Sequence, residues 1–268
     1  MRLYHNPRCS KSRQAFTIMQ NSGIAFEEYR YLDLGVHPSD ISILVELEGI
    51  IRMNETIFNW KNILDNSEIF KKNHPFPYGF IKNPINEKYY NELCNTYPTV
   101  DDKWYSADDY SRSSIKRHFG NSKANNIIDE DDESLSKSWN DLFHYLNSKE
   151  ATEMMSEYTG LKVTKLRSLD FVLNRKGDFN LPHSHHIGMK KEDYEYKFTV
   201  LIYFARDWIK GSPGGTYISE GEDESTIVFE PTDLDNSWIC FAETPNSWHG
   251  SRYMTHDTPR PSIQFAMV

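Results

Sequence analysis

At 268 residues the chain is long enough to bury a sizeable core, as one large domain or two small ones. Lysine and arginine number 30 against 39 aspartates and glutamates, a formal net charge of −9, which argues against a nucleic-acid backbone or an anionic membrane as the main partner. No apolar run approaches a membrane span, residues 1–6 lack the apolar core of a signal peptide, and three scattered cysteines (Cys9, Cys94, Cys240) make no disulfide framework, so a reducing cytoplasmic setting is expected.

In chain order, residues 1–70 read as β-α-β-α. Leu3-Tyr4 is a short strand, Ser10 to Asn21 carries helical periodicity with Gly23 placed to end it, Phe26 to Leu32 is a second strand, and Ser39 to Leu47 a second helix. Between the first strand and helix lies the turn Tyr4-His5-Asn6-Pro7-Arg8-Cys9-Ser10-Lys11-Ser12-Arg13. It places a cysteine at a helix N-terminus, where a thiol's pKa falls and anions bind. This turn resembles that of the thioredoxin-like arsenate reductases. The resemblance implies a nucleophilic role for Cys9, with Ser12 and Arg13 beside it. It stops near Phe70, without the later half of that fold, so a truncated thioredoxin-like segment over residues 1–72 is expected. An unreactive Cys9 in a retained scaffold is favoured over arsenate reduction.

His74-Pro75-Phe76-Pro77 breaks any helix and marks the boundary, so a second domain is expected over 73–268. Phe80 to Pro84 reads as a short strand and Glu87 to Tyr97 as an amphipathic helix. Tyr105 to Asn126 is polar and irregular; it is either a substrate-facing loop or, more simply, a solvated surface, as is the acidic run Asp129 to Glu133. Helices are expected over Ser134–Leu146 and from about Lys149 to Tyr158, ending at Gly160. Strands begin at Val163.

The stretch from Leu181 onward carries the chemistry. Leu181-Pro182-His183-Ser184-His185-His186 opens it, Phe198 to Phe204 and Gly214-Gly215-Thr216-Tyr217-Ile218 follow as strands, and His249 and Arg260 close it. On a strand His183 and His185 share a face and His186 takes the other. Two imidazoles and a distant third, His249, can hold three corners around a metal, and an arginine eleven residues later can hold a carboxylate beside it.

These elements, with Thr199 and Tyr203 on one strand, Asp207-Trp208, and Gly214-Gly215, resemble the iron- and 2-oxoglutarate-dependent dioxygenases, nearest the prolyl-hydroxylase-like branch. The resemblance implies a mainly β, α+β fold: a double-stranded β-helix (jelly roll) preceded by the truncated thioredoxin-like segment. It further implies Fe(II) and 2-oxoglutarate as cofactors, O2 as co-reactant, and Arg260, Ser262, Tyr203 and Thr199 around the cosubstrate. The substrate class implied is a small molecule or peptide, with proline or a prolyl residue as the family-level expectation. One position departs, because His185 stands where that family has its carboxylate ligand. Either His185 is the third ligand, or Glu192 or Asp193 swings in, or the metal is lost and the fold only binds. The first is favoured, since Arg260 and Tyr203 would serve no purpose in a dead site. Oligomeric state is not readable from the sequence.

Overall fold

The computed structural model describes residues 2–35, 37–40, 56–123, 126–190, 193–194 and 196–268. The chain divides into two compact units, Met1–Glu55 and Thr56–Val268.

In the first unit β1 (Arg2–Tyr4) and β2 (Glu27–Tyr29) pair in parallel, from Arg2↔Glu27 to Tyr4↔Tyr29, and the helix Ser10–Asn21 connects them. A parallel pair requires such a crossover, which is why the sequence alternates strand and helix here. Gly23 follows the helix with φ 69°, the left-handed position expected of it. None of the helix residues is buried. The helix expected over Ser39–Leu47 lies outside the described residues, apart from a 3₁₀ turn at Pro38–Asp40.

The expected boundary at 72/73 moves to 55/56. Ile57, Phe58, Trp60, Ile63 and Phe70 all lie in the main core of the larger unit. Trp60 Nε1 also donates to Tyr145 Oη at 2.5 Å. Apolar side chains of this size fix the attachment, since each is worth about 1.5–3 kcal/mol when buried.

The larger unit is built on two antiparallel sheets. Its strands are β3 (Tyr78–Lys82), β4 (Tyr105–Ser106), β5 (Arg112–Ser113), β6 (Ile115–His118), β7 (Leu166–Asn174), β8 (Phe179–His183), β9 (Phe198–Tyr203), β10 (Thr216–Ser219), β11 (Ile227–Phe229), β12 (Ser237–Ala242), β13 (His249–Ser251) and β14 (Arg260–Met267). Seven form one sheet in the order β3-β12-β9-β14-β7-β6-β4, and five the other, β11-β10-β13-β8-β5. Strands adjacent in space but distant in sequence are what a jelly roll produces.

Side-chain alternation sorts the two faces of the larger sheet. Val200 and Ile202 of β9, with Ile263 and Phe265 of β14, pack under the helices Lys137–Asn147 and Lys149–Thr159 through Trp139, Phe143, Leu146, Met155 and Tyr158. Leu201 and Tyr203 point the other way, into a second cluster with Ile218 and Met254 between the sheets. Both faces of β9 and β12 are therefore buried, which explains their mostly apolar sequences. Ser136 and Ser148 cap the two helices by accepting from Trp139 N and Ala151 N, and Gly160 ends the second in the left-handed conformation.

Two polar stretches are more structured than the sequence suggests. The segment read as an irregular surface contains β4, β5 and β6. Asp132, within the acidic run, is buried and accepts from Arg117 Nη2 at 2.8 Å and Gly120 N at 3.1 Å. A buried arginine needs a carboxylate beside it, and sequence proximity alone does not show which one. Among the described residues no helix is long and apolar enough to cross a membrane.

Candidate metal centre

His183 ends β8 and His249 begins β13, and the two strands pair through these residues, His249↔His183. Their rings lie 4.3 Å apart between centroids, and His185 stands 5.2 Å from His183 and 4.9 Å from His249. One nitrogen from each converges, all within 4.8 Å of one another. His185 arrives by a different route from the one expected. β8 stops at His183, so strand alternation does not place it; a turn over residues 185–188 brings the ring round. Asp193 is exposed and is not part of this cluster, and Glu192 lies outside the described residues.

Each imidazole is held by its Nδ1. His183 Nδ1 lies 3.0 Å from Leu181 O, His249 Nδ1 2.8 Å from Ser247 O, and His185 Nδ1 2.9 Å from Glu243 Oε1. Carbonyl and carboxylate oxygens only accept, so these contacts assign the proton to Nδ1 and leave Nε2 as a lone-pair donor in each ring. Burial, reinforced by the neighbouring imidazole of His185, pushes His183 down to about 4. Burial drives His249 well below the ordinary histidine range as well, with His183 and His185 adding to it. Both stay neutral at physiological pH, as ligands must.

Glu243 is the residue that sequence reasoning missed. It follows β12, its side chain is fully buried, and besides His185 it accepts from Thr199 Oγ1 at 2.5 Å and Ser247 Oγ at 3.3 Å. His186, itself buried, presents Nδ1 3.6 Å from Glu243 Oε2 and stacks on Tyr194, so it faces this carboxylate and not the metal cluster. Burial alone would raise the Glu243 pKa. The imidazoles of His185 and His186 outweigh that and hold the carboxyl below its usual range. The signal in the sequence was faint: a single acid closing the apolar run Ser237–Ala242.

The histidines line a cavity between the two sheets, and Arg260 lines it with them. Arg260 is buried and stacks over the Tyr203 ring at 5.5 Å. It donates through Nη1 to Gly214 O and through Nη2 to Asn174 Oδ1 at 2.5 Å, while its Nε has no partner among the described residues. Thr199 is turned to Glu243, the Ser262 hydroxyl donates to Val172 O at 3.2 Å, and Tyr203 Oη accepts from Thr216 N at 2.8 Å. Of the four residues expected around a cosubstrate, Arg260 is the one that lines the cavity. The donor set fits a divalent first-row metal, and the incompletely satisfied guanidinium beside it fits a carboxylate.

Gly250 follows His249 with no spare room. A Cβ there would meet Tyr217 Oη at 2.4 Å and Asn180 O at 2.5 Å.

In the first unit, Cys9 caps the helix Ser10–Asn21. The backbone N–H groups of Ser12 and Lys11 lower its pKa, with Arg13 and Lys11 adding charge. The turn is tied by Ser12 Oγ, which accepts from Asn6 N at 2.9 Å, and by Arg13 Nη1, which donates to Pro7 O at 2.8 Å.

No family model matches the chain. Among solved structures, an oxidoreductase of the 2OG-Fe(II) oxygenase family from Burkholderia pseudomallei superposes with TM-score 0.55 at 11% identity, covering 76% of this chain and 90% of that one. A prolyl hydroxylase from Trichoplax adhaerens, solved with a hypoxia-inducible-factor peptide, gives 0.52 at 12% identity over 81% and 91%. A Pseudomonas putida prolyl-4-hydroxylase gives 0.51 at 9% identity over 78% and 97%. The fold is that of the 2OG-Fe(II) oxygenases. In sequence, an arsenate reductase of Neisseria meningitidis is 31% identical over 90 residues, 28% of this chain and 74% of that protein. Escherichia coli YfgD, an uncharacterized protein, is 33% identical over 76 residues, 25% of this chain and 61% of its own length. Over that stretch the chain belongs to the arsenate reductase family.

Proposed function

We propose that Thr56–Val268 is a non-haem iron, 2-oxoglutarate-dependent dioxygenase that hydroxylates an unactivated carbon, with its metal held by His183, His185 and His249. The observation that carries this reading is the convergence of three imidazoles whose Nδ1 protons are all committed elsewhere, in a cavity that also contains Arg260. When bound, iron and 2-oxoglutarate together supply the oxidising chemistry with O2. The chain's own part is to present three Nε2 lone pairs, leave further coordination positions open, and keep the surroundings dry.

Three neutral ligands cancel none of the metal's charge. Glu243 supplies a negative charge one hydrogen bond behind His185, where the common ligand set would place its carboxylate directly. This makes His185 a stronger donor and fixes its ring. Thr199 and Ser247 in turn hold Glu243. Arg260, braced by Gly214, Asn174 and the Tyr203 ring, is assigned to the far carboxylate of 2-oxoglutarate. A small molecule or peptide is the substrate class, with proline or a prolyl residue suggested by analogy alone.

Anaerobic equilibrium dialysis with Fe(II), followed by titration of 2-oxoglutarate, tests the assignment. One iron per chain and iron-dependent binding of the cosubstrate are expected. A protein that takes up no stoichiometric metal would leave a binding module with this fold.

For the N-terminal unit we infer a retained scaffold. The match to arsenate reductases covers 74% of their length, and Cys9 lies in a unit whose helix buries none of its residues.

A further inference from the structure

The lining of the histidine cavity is unusual in its charge. Arg112, Lys116 and Arg260 contribute to it, and among the described residues no aspartate or glutamate does. This happens in a chain of formal net charge −9. Arg112 has an acid of its own, Asp109, with Nε 3.1 Å from Oδ2. Arg260 is braced by a carbonyl and an amide. Lys116 differs from both. Among the described residues its ammonium has neither a hydrogen bond nor an ion pair, and the carboxylate that attracts it, Asp170, is occupied by His118 Nδ1. Lys116 is half-buried, and this partial loss of water pushes its pKa below the ordinary lysine range, with Asp170 drawing it back and Arg112 adding to the fall.

The strand registers locate Lys116 relative to the cosubstrate clamp. Lys116 on β6 lies opposite Val172 on β7, which lies opposite Ser262 on β14, two residues beyond Arg260. The two cations therefore start from strands two spacings apart, roughly 10 Å. They form separate anchor points. A 2-oxoglutarate that reaches from the metal to Arg260 uses one of them and leaves the other facing the open part of the cavity without an anion. A half-buried ammonium with no ion pair of its own among the described residues is free to meet an anion that enters the cavity.

Resting on the oxygenase reading of this same cavity, we propose that the primary substrate carries an anionic group, carboxylate or phosphate, which Lys116 binds. Arg112, on β5 of the other sheet, lines the same cavity and adds to the attraction.

The test uses the full chain loaded with Fe(II) and saturating 2-oxoglutarate. Substrate-stimulated consumption of 2-oxoglutarate is measured with matched probes: N-acetyl-L-proline against N-acetyl-L-prolinamide for the carboxylate, and N-acetyl-O-phosphoserinamide against N-acetylserinamide for the phosphate. Stimulation by acids but not by their neutral partners is expected. For a stimulating acid, Lys116→Gln should raise KM at least about tenfold, the loss of one charged hydrogen bond. The affinity for 2-oxoglutarate, titrated anaerobically, should stay within about twofold of wild type. A carboxylate probe without a phosphate counterpart, or the reverse, identifies the anion. The proposal is overturned if neutral probes stimulate equally, if none of the acids stimulates, or if Lys116→Gln leaves KM unchanged. It is also overturned if Lys116→Gln abolishes 2-oxoglutarate binding while Arg260→Ala does not, since Lys116 would then be the cosubstrate clamp. Failure of the oxygenase reading itself looks different: wild type then binds no iron-dependent 2-oxoglutarate at all.

Discussion

The chain carries two clusters of chemistry-bearing side chains, and they are supported in opposite ways. Cys9 sits in a turn whose influence on the thiol comes mainly from two backbone N–H groups, in a unit where His5 is the one described residue counted as buried. The three histidines are held by two packed sheets, two carbonyls and a carboxylate whose side chain is fully buried. Lowering a thiol's pKa needs only local dipoles, which a short helix provides by itself. Setting three nitrogens to a common point requires strands that cannot slide, and that requires a core. The difference between the units is thus a difference in what each chemistry demands of its support.

The sharpest way to break this comparison is to remove a ligand. His249→Ala should lower Fe(II) affinity by more than about 100-fold, beyond what loss of an outer partner costs, while the melting temperature of the metal-free protein stays near wild type. Retained iron would show that the cluster is not the metal centre. Next in size, Arg260→Ala should weaken 2-oxoglutarate binding by about 2–4 kcal/mol and leave iron binding nearly untouched. Equal affinities in an anaerobic titration would remove the cosubstrate assignment.

A smaller effect distinguishes support from ligation. Glu243→Gln should reduce iron affinity about 10- to 100-fold, because the amide cannot supply the charge behind His185. Its structural corollary is specific. His185→Asp alone sets a second carboxylate against Glu243 and removes an N–H donor, so it should bind iron less well than the His185→Asp/Glu243→Gln pair. If the single change binds as tightly as the double, Glu243 is not the counter-charge. The smallest effect lies in the other unit. Cys9→Ser should keep 2-oxoglutarate turnover within about tenfold, or about 1.4 kcal/mol of barrier. Cys9 should also be alkylated at lower pH than Cys94 or Cys240, whose thiols burial pushes up, Cys240 to about 12. A larger loss of turnover would mean that the two units share one reaction.

Much of the site was legible because its residues sit at strand ends with regular spacing. His183, His249 and Arg260 are the residues the dioxygenase pattern names, and the structure gathers them around one cavity. His185 was found for a reason that does not hold: the strand ends before it, and turn geometry, which an i, i+2 rule does not describe, supplies the convergence. Glu243 was invisible because its partner is 58 residues away and a lone acid after an apolar run carries no motif. Lys116 was hidden in a segment whose serines, arginines and aspartates read as solvated surface. That composition is equally that of short strands lining a polar cavity. The boundary was misplaced because a proline-rich break in local structure marks the end of a helix, not of a core, and Phe58 and Phe70 pack across it.

Gly250 extends the argument from side chains to clearances. Between His249 and the facing strand the backbone passes Tyr217 Oη and Asn180 O with less space than one methyl group occupies. The position of His249 is therefore machined into the spacing of β13 against β8 and Tyr217, and not only into the bonds of its ring. A residue with no side-chain polar atom and no charge sets the tolerance of the histidine cluster. In this molecule the smallest side chain is the gauge to which the three imidazoles are set.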